Sequence, residues 1–84
     1  MYVVYAIKSS VDSRIYVGFT KDVAKRLAEH NSGKTRSTKG YRPWVILFSE
    51  AAETREDARK KEKYYKSGIG KEKLKSLDQN NRVP

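Results

Sequence analysis

The most informative polar residue of the sequence is Glu62, because it stands where a helix would bury an apolar side chain. Ala58, Tyr65 and Ile69 are spaced by seven and four residues, which places them on one helix face. Glu62 falls within that face. A buried carboxylate is costly unless a cation, a metal ion or hydrogen bonds compensate it. Glu62 is therefore a candidate metal ligand, and the alternative is a structural ion pair with Lys66 one turn later.

An arginine and a histidine on an earlier predicted helix could bind phosphate and transfer protons. Arg26 and His30 are four residues apart, so they lie one above the other on the helix face beside Val23. A guanidinium can hold a phosphate oxygen, and His30, the single histidine, can exchange a proton near neutral pH. The alternative is a solvated arginine and a histidine that lies near the negative end of the helix dipole.

Two tyrosines on the first two predicted strands complete the set of candidates. Tyr5 and Tyr16 are eleven positions apart across a short turn, so they can become cross-strand neighbours on one face of a hairpin. Gly18 lies on the same face, where its missing side chain leaves room for a backbone or a ligand. Buried tyrosines are common in cores, so packing alone is the alternative.

The apolar pattern predicts the elements that must bring these distant residues together. We expect strands at residues 2–7 and 15–19, a helix at 21–30, a strand at 44–48, a helix at 55–67 and a short final helix that contains Leu74 and Leu77. The first two strands form an antiparallel hairpin because their connection is too short for a parallel return. The fold class is α/β of the α+β kind, with a small three-stranded antiparallel sheet flanked by helices in the order β-β-α-β-α-α.

Local signals predict the helix ends and the limits of the domain. Thr20 is expected to begin the first helix, Asn31 and Gly33 are candidates to end it, and Thr54 is expected to cap the second. The apolar side of the first helix should consist of Val23, Ala24, Leu27 and Ala28. Residues 1–78 form the domain, and residues 79–84 form a flexible tail.

Composition and charge indicate one domain with a polyanionic partner. The 84 residues suffice for one domain and not for two. Nineteen basic and ten acidic residues leave a net charge of +9, which favours nucleic acid. An anionic membrane surface would attract the same charge, although the apolar N-terminal run is too short for a signal peptide or a membrane span. We therefore expect nucleic acid and no membrane. The lack of cysteine fits a reducing compartment such as the cytoplasm.

Phosphate contacts are expected from basic side chains of the polar loop at residues 32–42 and of the second long helix. The candidates are Lys34, Arg36, Lys39, Arg42, Lys60 and Lys61. Contacts of this kind carry little sequence preference and weaken with salt. Solvated surface charge is the alternative for several of the lysines.

The same residues resemble the motifs of the GIY-YIG nucleases, a family that includes the N-terminal catalytic domain of the excinuclease C subunit, homing endonucleases and small bacterial proteins. Residues 3–5 (Val-Val-Tyr) and 16–18 (Tyr-Val-Gly) stand at the two tripeptides that name the family. Arg26 and His30 match its helix motif, and Glu62 matches its metal-binding glutamate. The resemblance extends over residues 2 to 77.

Two positions depart from the family pattern. Phe19 stands where excinuclease-type members carry a lysine, so any help from a lysine in proton abstraction is missing. The family's late active-site asparagine has no assigned counterpart, because Asn80 and Asn81 fall in the predicted tail.

The resemblance implies a metal-dependent endonuclease that hydrolyses phosphodiester bonds in nucleic acid, DNA rather than RNA, in repair or recombination. It implies that Glu62 ligates Mg²⁺ or Mn²⁺, that Arg26 holds a phosphate oxygen, and that Tyr5 accepts the proton of the attacking water. Tyr16 and His30 would assist. Neighbouring cations would have to lower the pKa of Tyr5 from about 10.

Two other functions stay open at this point. One is a module of the same fold that binds nucleic acid without cutting it. The other is a basic adaptor that recruits a larger repair enzyme or touches membranes. A second copy of the chain is a further candidate partner.

Overall fold

Three strands form one antiparallel sheet in residues 1–80, the part of the chain that the computed structural model describes. The elements in chain order are β1 (Tyr2–Ser9), β2 (Ile15–Thr20), α1 (Val23–Ser32), a 3-10 turn (Lys39–Tyr41), β3 (Trp44–Ala52), α2 (Arg55–Lys66) and α3 (Gly68–Asn80). The strand order is β2-β1-β3. The predicted α+β fold, with its hairpin and its order β-β-α-β-α-α, is confirmed.

β1 is the central strand because its side chains are apolar on both faces. Val4 and Ala6 point to one face and pack in a core with residues of α2 and α3. Tyr5 and Ile7 point to the other face and pack with Trp44 and with residues of α1. Alternation along one strand therefore divides the interior into two clusters. The candidate tyrosine belongs to the cluster beside α1.

Helix caps follow local sequence chemistry. The side chain of Asp22 accepts a hydrogen bond from the Lys25 amide and caps α1, so the prediction that Thr20 begins this helix was wrong. Asp22 is the better cap because its carboxylate reaches the third amide of the helix. Gly33 ends α1 with a left-handed φ of 86°, as predicted. Thr54 caps α2, also as predicted.

The apolar faces of the helices are narrower than the sequence pattern predicts. Val23 and Leu27 pack in the cluster beside α1, whereas Ala24 and Ala28 are exposed. Ile69 is 74% exposed and does not continue the buried face of α2. Small alanines can be left in water at little cost. Ile69 follows Gly68, where a new helix begins, so the period of α2 does not extend to it.

The last helix is longer than predicted, because α3 begins at Gly68, directly after α2, and extends to Asn80. Leu74 is fully buried and Leu77 packs against the same core. The helix includes residues 79 and 80 of the predicted tail, and residues 81–84 lie outside the described residues. Within residues 1–80, no helix is long and apolar enough to cross a membrane.

Close packing at the junction between α2 and α3 implies that one added methyl group there would strongly lower the free energy of unfolding. A Cβ on Gly70 would overlap the carbonyl oxygen of Tyr64, which is backbone and cannot turn away. We expect Gly70→Ala to lower the free energy of unfolding by about 2 kcal/mol or more, as overpacking does. The measurement is urea denaturation followed by circular dichroism.

Gly68→Ala is the matched control. A Cβ on Gly68 meets no non-neighbouring atom within 4 Å in the described part of the chain, so its stability should stay within about 0.5 kcal/mol of the wild type. Equal stability of the two variants would show that α2 and α3 do not meet at Gly70 in this way.

Candidate active site

The β1–β2 hairpin places the two tyrosines and the glycine on one face. Tyr5 lies opposite Gly18, and Tyr16 lies opposite Ile7. The rings of Tyr5 and Tyr16 are 6.4 Å apart between centroids, which agrees with the expected shared face. A Cβ on Gly18 would come within 2.8 Å of the Tyr5 hydroxyl oxygen. Glycine is needed at residue 18 because the Tyr5 ring fills the space beside it, where the sequence had indicated room for a backbone or a ligand.

His30 lies completely buried at the end of α1, against the Tyr5 hydroxyl. Its Nε2 is 2.9 Å from the Tyr5 hydroxyl oxygen, and its Nδ1 is 2.9 Å from the Thr38 hydroxyl oxygen. The ring also packs edge-on against Tyr16, with 4.9 Å between centroids. His30 is buried and has two hydrogen-bond partners, so the alternative of a solvated histidine at the helix end does not apply.

Arg26 lies one turn before His30 and reaches the same phenol. Its guanidinium donates to Glu29 Oε1 at 3.0 Å, and it lies close enough to the Tyr5 hydroxyl to act on the pKa of that phenol. A guanidinium carries five N–H donors, so the bond to Glu29 leaves donors for another anion. The Arg26 side chain is 33% exposed, which keeps it accessible from solvent. Arg26 can therefore contact a phosphate near the phenol without giving up Glu29.

Burial decides the ionisation of the phenol and of the imidazole. Burial raises the pKa of Tyr5 above its ordinary value of 10.0, and this outweighs the lowering by Arg26. The condition that neighbouring cations lower the pKa of Tyr5 is therefore not met in the protein alone. Burial and the charge of Arg26 hold the pKa of His30 below its ordinary value of 6.5. Near pH 7 the site contains a neutral phenol beside a neutral imidazole.

Glu62 lies on α2 between two buried residues, Ala58 and Tyr65, as its spacing predicts. Its side chain is 24% exposed, and its Oε2 is 3.4 Å from the Lys66 ammonium, so the ion pair considered from the sequence is present. Such a pair, four residues apart on a helix and partly in water, contributes only a few tenths of a kcal/mol. The Glu62 charge is close enough to raise the pKa of Tyr5. The carboxylate is thus near the phenol and only loosely held.

The donor set around Glu62 fits a hydrated divalent cation. Among residues 1–77, whose side chains the structure describes, no three of the types His, Cys, Asp and Glu are gathered to hold a metal ion. A cage built from protein ligands is therefore not formed by the described residues. Mg²⁺, however, keeps several waters and binds through one or two carboxylates plus substrate phosphates. A single, partly exposed carboxylate satisfies that requirement.

The predicted phosphate-binding residues differ in how free they are. Lys34, Arg36 and Lys39 are exposed in the segment between α1 and β3. Arg42 is exposed too, although its Nε donates to the Lys39 carbonyl at 2.8 Å. Lys60 is exposed on α2.

Lys61 has a structural partner instead. Its ammonium lies 2.6 Å from Glu50 Oε2 and 3.1 Å from the Ala51 carbonyl oxygen. Glu50 also accepts a hydrogen bond from the Tyr65 hydroxyl at 3.0 Å. Lys61 therefore joins α2 to β3, and binding a phosphate would mean giving up these contacts.

Thr38 and Asn31 are site residues that the sequence reasoning missed. Thr38 is 1% exposed and bonds to His30, as described above. Asn31 holds the backbone of Trp44 with both ends of its amide, at 3.0 Å and 2.6 Å. The Trp44 indole in turn donates to the Thr38 carbonyl at 2.9 Å. A threonine in a polar loop carries no periodic signal, so only the fold reveals its burial.

Comparison with known proteins places this arrangement in a family. The model of the GIY-YIG catalytic domain matches residues 1–75, which include all five predicted site residues. The chain belongs to the GIY-YIG nuclease family. Tyr5, Tyr16 and Gly18 lie on one face of the β1–β2 hairpin, where Tyr5 and Tyr16 pack against His30.

Similar proteins within this family are small bacterial chains. A UPF0213 protein of Staphylococcus haemolyticus is 34% identical over 77 residues, which cover 90% of this chain and 93% of the relative. The UPF0213 protein YazA of Bacillus subtilis is 37% identical over 70 residues, 82% of this chain and 70% of the relative. A solution NMR structure of the UPF0213 protein BH0048 from Bacillus halodurans has a TM-score of 0.55 at 34% identity, and the match covers 92% and 85% of the two chains.

The buried histidine predicts how stability depends on pH. The folded protein holds the pKa of His30 below 6.5. As the pH falls through 6.5, His30 therefore takes up a proton in the unfolded chain but not in the folded chain. The His30 contribution is therefore complete above about pH 7 and decreases towards about pH 5.5. The melting temperature of the wild type should fall over this range, before most carboxylates titrate.

His30→Gln tests the assignment, because this is the one histidine of the chain. The variant should melt lower at neutral pH and show a flat melting temperature between about pH 7 and about pH 5.5. A wild-type melting temperature that stays constant or rises over the same interval would contradict a buried, neutral His30.

Proposed function

We propose that this chain is a metal-dependent endonuclease that hydrolyses phosphodiester bonds in nucleic acid, with DNA as the favoured substrate. The observation that carries the proposal is the Tyr5 hydroxyl, which is hydrogen-bonded to a neutral His30 and lies within the electrostatic influence of the Arg26 guanidinium and the Glu62 carboxylate. A tyrosine that served packing alone would not need a fully buried histidine as its partner. The three groups together provide proton transfer and phosphate binding.

Proton transfer in this proposal passes from water through Tyr5 to His30. The raised pKa of Tyr5 keeps the phenol protonated in the resting enzyme, so it cannot act as a preformed phenolate. As the attacking water gives a proton to the Tyr5 oxygen, the phenol proton moves to His30 Nε2, 2.9 Å away. Tyr5 ends the step neutral, and His30 ends it as an imidazolium. The lowered pKa of His30 provides the neutral acceptor that this step requires.

Arg26 supports the proposal by binding and orienting the reacting phosphate. Its remaining donors can hold a non-bridging oxygen where negative charge increases in the transition state. Because Arg26 lies near the Tyr5 hydroxyl, a phosphate held by the guanidinium would lie near the phenol as well. Tyr16, whose ring packs against both Tyr5 and His30, would orient the water or the phosphate from the other side.

Glu62 is the residue that would hold a divalent cation, Mg²⁺ or Mn²⁺, through its carboxylate. When bound, such an ion polarises the scissile phosphate and stabilises the leaving oxygen. Lys66 would have to release the carboxylate, which is inexpensive because the pair is long and partly exposed.

Substrate binding in this proposal relies on the basic segment that follows α1. Lys34, Arg36, Lys39 and Arg42 are exposed there, and Lys60 is exposed on α2. Contacts from these side chains to phosphates provide affinity with little sequence preference. The net charge of +9 would speed association with a polyanion. A setting in DNA repair or recombination rests on the family alone.

Removal of the carboxylate at residue 62 tests the proposed activity. We expect Glu62→Gln to reduce Mg²⁺-dependent nicking of supercoiled plasmid by at least about 100-fold, because a bound metal ion contributes several kcal/mol to the transition state. DNA affinity, measured by fluorescence anisotropy, should stay near the wild-type value, since the basic side chains are intact.

Glu56→Gln is the matched control, because it changes the charge of the same helix by the same amount at an exposed position in the first turn. This variant should nick plasmid at the wild-type rate. The proposal is wrong if Glu62→Gln nicks as fast as Glu56→Gln. A wild type that binds DNA and never nicks it with Mg²⁺ or Mn²⁺ would instead identify a binding module.

A further inference from the structure

We infer that Thr38 is a positioning residue, whose hydroxyl fixes the tautomer of His30 that leaves Nε2 free to accept the Tyr5 proton. Its catalytic consequence rests on the proposed function. The tautomer itself can be observed without any cutting, so the two ideas can fail separately.

The direction of the hydrogen bonds at Thr38 indicates that the hydrogen of His30 is on Nδ1. Its hydroxyl lies 3.2 Å from the Thr35 carbonyl oxygen, to which it donates its single proton. The hydroxyl oxygen therefore presents a lone pair to His30 Nδ1, 2.9 Å away. A contact of this length requires the hydrogen to be on Nδ1.

The contact on the opposite side of the ring is compatible with the same tautomer. The Tyr5 hydroxyl oxygen lies 2.9 Å from His30 Nε2 and carries one proton of its own. With hydrogen on Nδ1, Nε2 accepts that proton and the buried phenol is satisfied. With hydrogen on Nε2, the Tyr5 oxygen would accept instead, and its own proton would need another acceptor. Thr38 therefore decides between two forms that the contact with Tyr5 alone allows.

The Thr38 hydroxyl is held in place by the contacts of its own backbone. Its backbone amide donates to the Thr35 carbonyl at 3.1 Å, and its own carbonyl accepts from the Trp44 indole at 2.9 Å. Trp44 is held in turn by Asn31, the neighbour of His30 in α1. The hydroxyl is thereby fixed relative to both α1 and β3. Thr38 is 1% exposed, so water does not readily replace this partner.

The consequence for the reaction is a one-way path for the proton. With Nδ1–H directed at Thr38, the lone pair on His30 Nε2 is directed at Tyr5. Nε2 accepts the phenol proton from Tyr5, and the His30 ring becomes an imidazolium. The Nδ1 hydrogen stays in its bond to Thr38 throughout, so no proton is lost from that side. In the other tautomer Nε2 already carries a hydrogen and cannot accept one.

The test is to determine the tautomer of His30 by NMR in the full chain labelled with ¹⁵N-histidine. Long-range ¹H–¹⁵N correlations show which ring nitrogen carries the hydrogen. The spectra are recorded near pH 7.5, about one unit above the ordinary pKa of histidine, where the imidazole is neutral. We expect the wild type and Thr38→Ser to show hydrogen on Nδ1. Thr38→Val keeps the shape and removes the hydroxyl, so it should shift His30 to the Nε2–H form or to a mixture.

Cutting rates complete the test. Thr38→Val should lower kcat by about 10- to 100-fold, the usual effect of losing a partner that orients a functional histidine. KM for DNA should be unchanged, because Thr38 is buried. Thr38→Ser should recover most of the rate.

The inference is overturned if the wild type carries the hydrogen on Nε2, or if Thr38→Val keeps it on Nδ1. If Thr38→Val does not fold, the wild type and Thr38→Ser still decide, because hydrogen on Nε2 in either contradicts the inference and hydrogen on Nδ1 in both supports it. If the spectra follow the expected pattern and no form of the chain nicks DNA, the proposed function fails and the role of Thr38 in fixing His30 stands.

Discussion

A hydrogen bond between the Tyr5 hydroxyl and His30 Nε2, buried between β1 and α1, is the contact on which the site depends. Burying two polar groups is favourable only when each is satisfied. The surrounding structure meets that condition with few residues. Gly18 leaves space for the phenol, and Thr38 takes the other nitrogen of the ring. These contacts orient the phenol before any substrate arrives.

The two faces of the sheet divide the work of stability and chemistry. The cluster between the sheet and α2 and α3 is built mainly from aliphatic and aromatic residues such as Val4 and Leu74. The cluster beside α1 contains Tyr5 and Trp44, whose polar atoms are hydrogen-bonded. The segment that carries Arg36 and Lys39 also contains Thr38, so the exposed basic side chains and the buried partner of His30 share one short piece of chain. Glu62 lies on α2, and its charge raises the pKa of Tyr5.

The sequence was sufficient to predict the architecture and the grouping of Tyr5, Tyr16 and His30, because both follow from strong local patterns. The apolar run of β1 and the short turn after it determine the hairpin, and the spacing of Tyr5 and Tyr16 then determines their shared face. Periodicity identifies a helix face but not what covers it. For this reason Ala24 and Ile69 were expected in a core and are exposed.

The remaining features depend on contacts between distant parts of the chain. Lys61 looks like any other basic residue until the fold brings Glu50 beside it. Thr38 lies in a polar loop whose path is set by Asn31 and Trp44. The raised pKa of Tyr5 depends on how deeply the phenol is buried, which no spacing of residues reveals. Charge in the sequence suggested a phenol activated by cations, and burial reverses that expectation.

The most direct measurement of the central claim is the single-turnover rate of DNA cleavage by Tyr5→Phe, with Mg²⁺ and enzyme in excess. This variant keeps the ring and removes the oxygen that bonds to His30. The account predicts a rate at least about 100-fold below the wild type with unchanged DNA affinity, while Tyr2→Phe, in the other face's cluster, cuts normally. Cleavage by Tyr5→Phe at the rate of Tyr2→Phe would contradict the account.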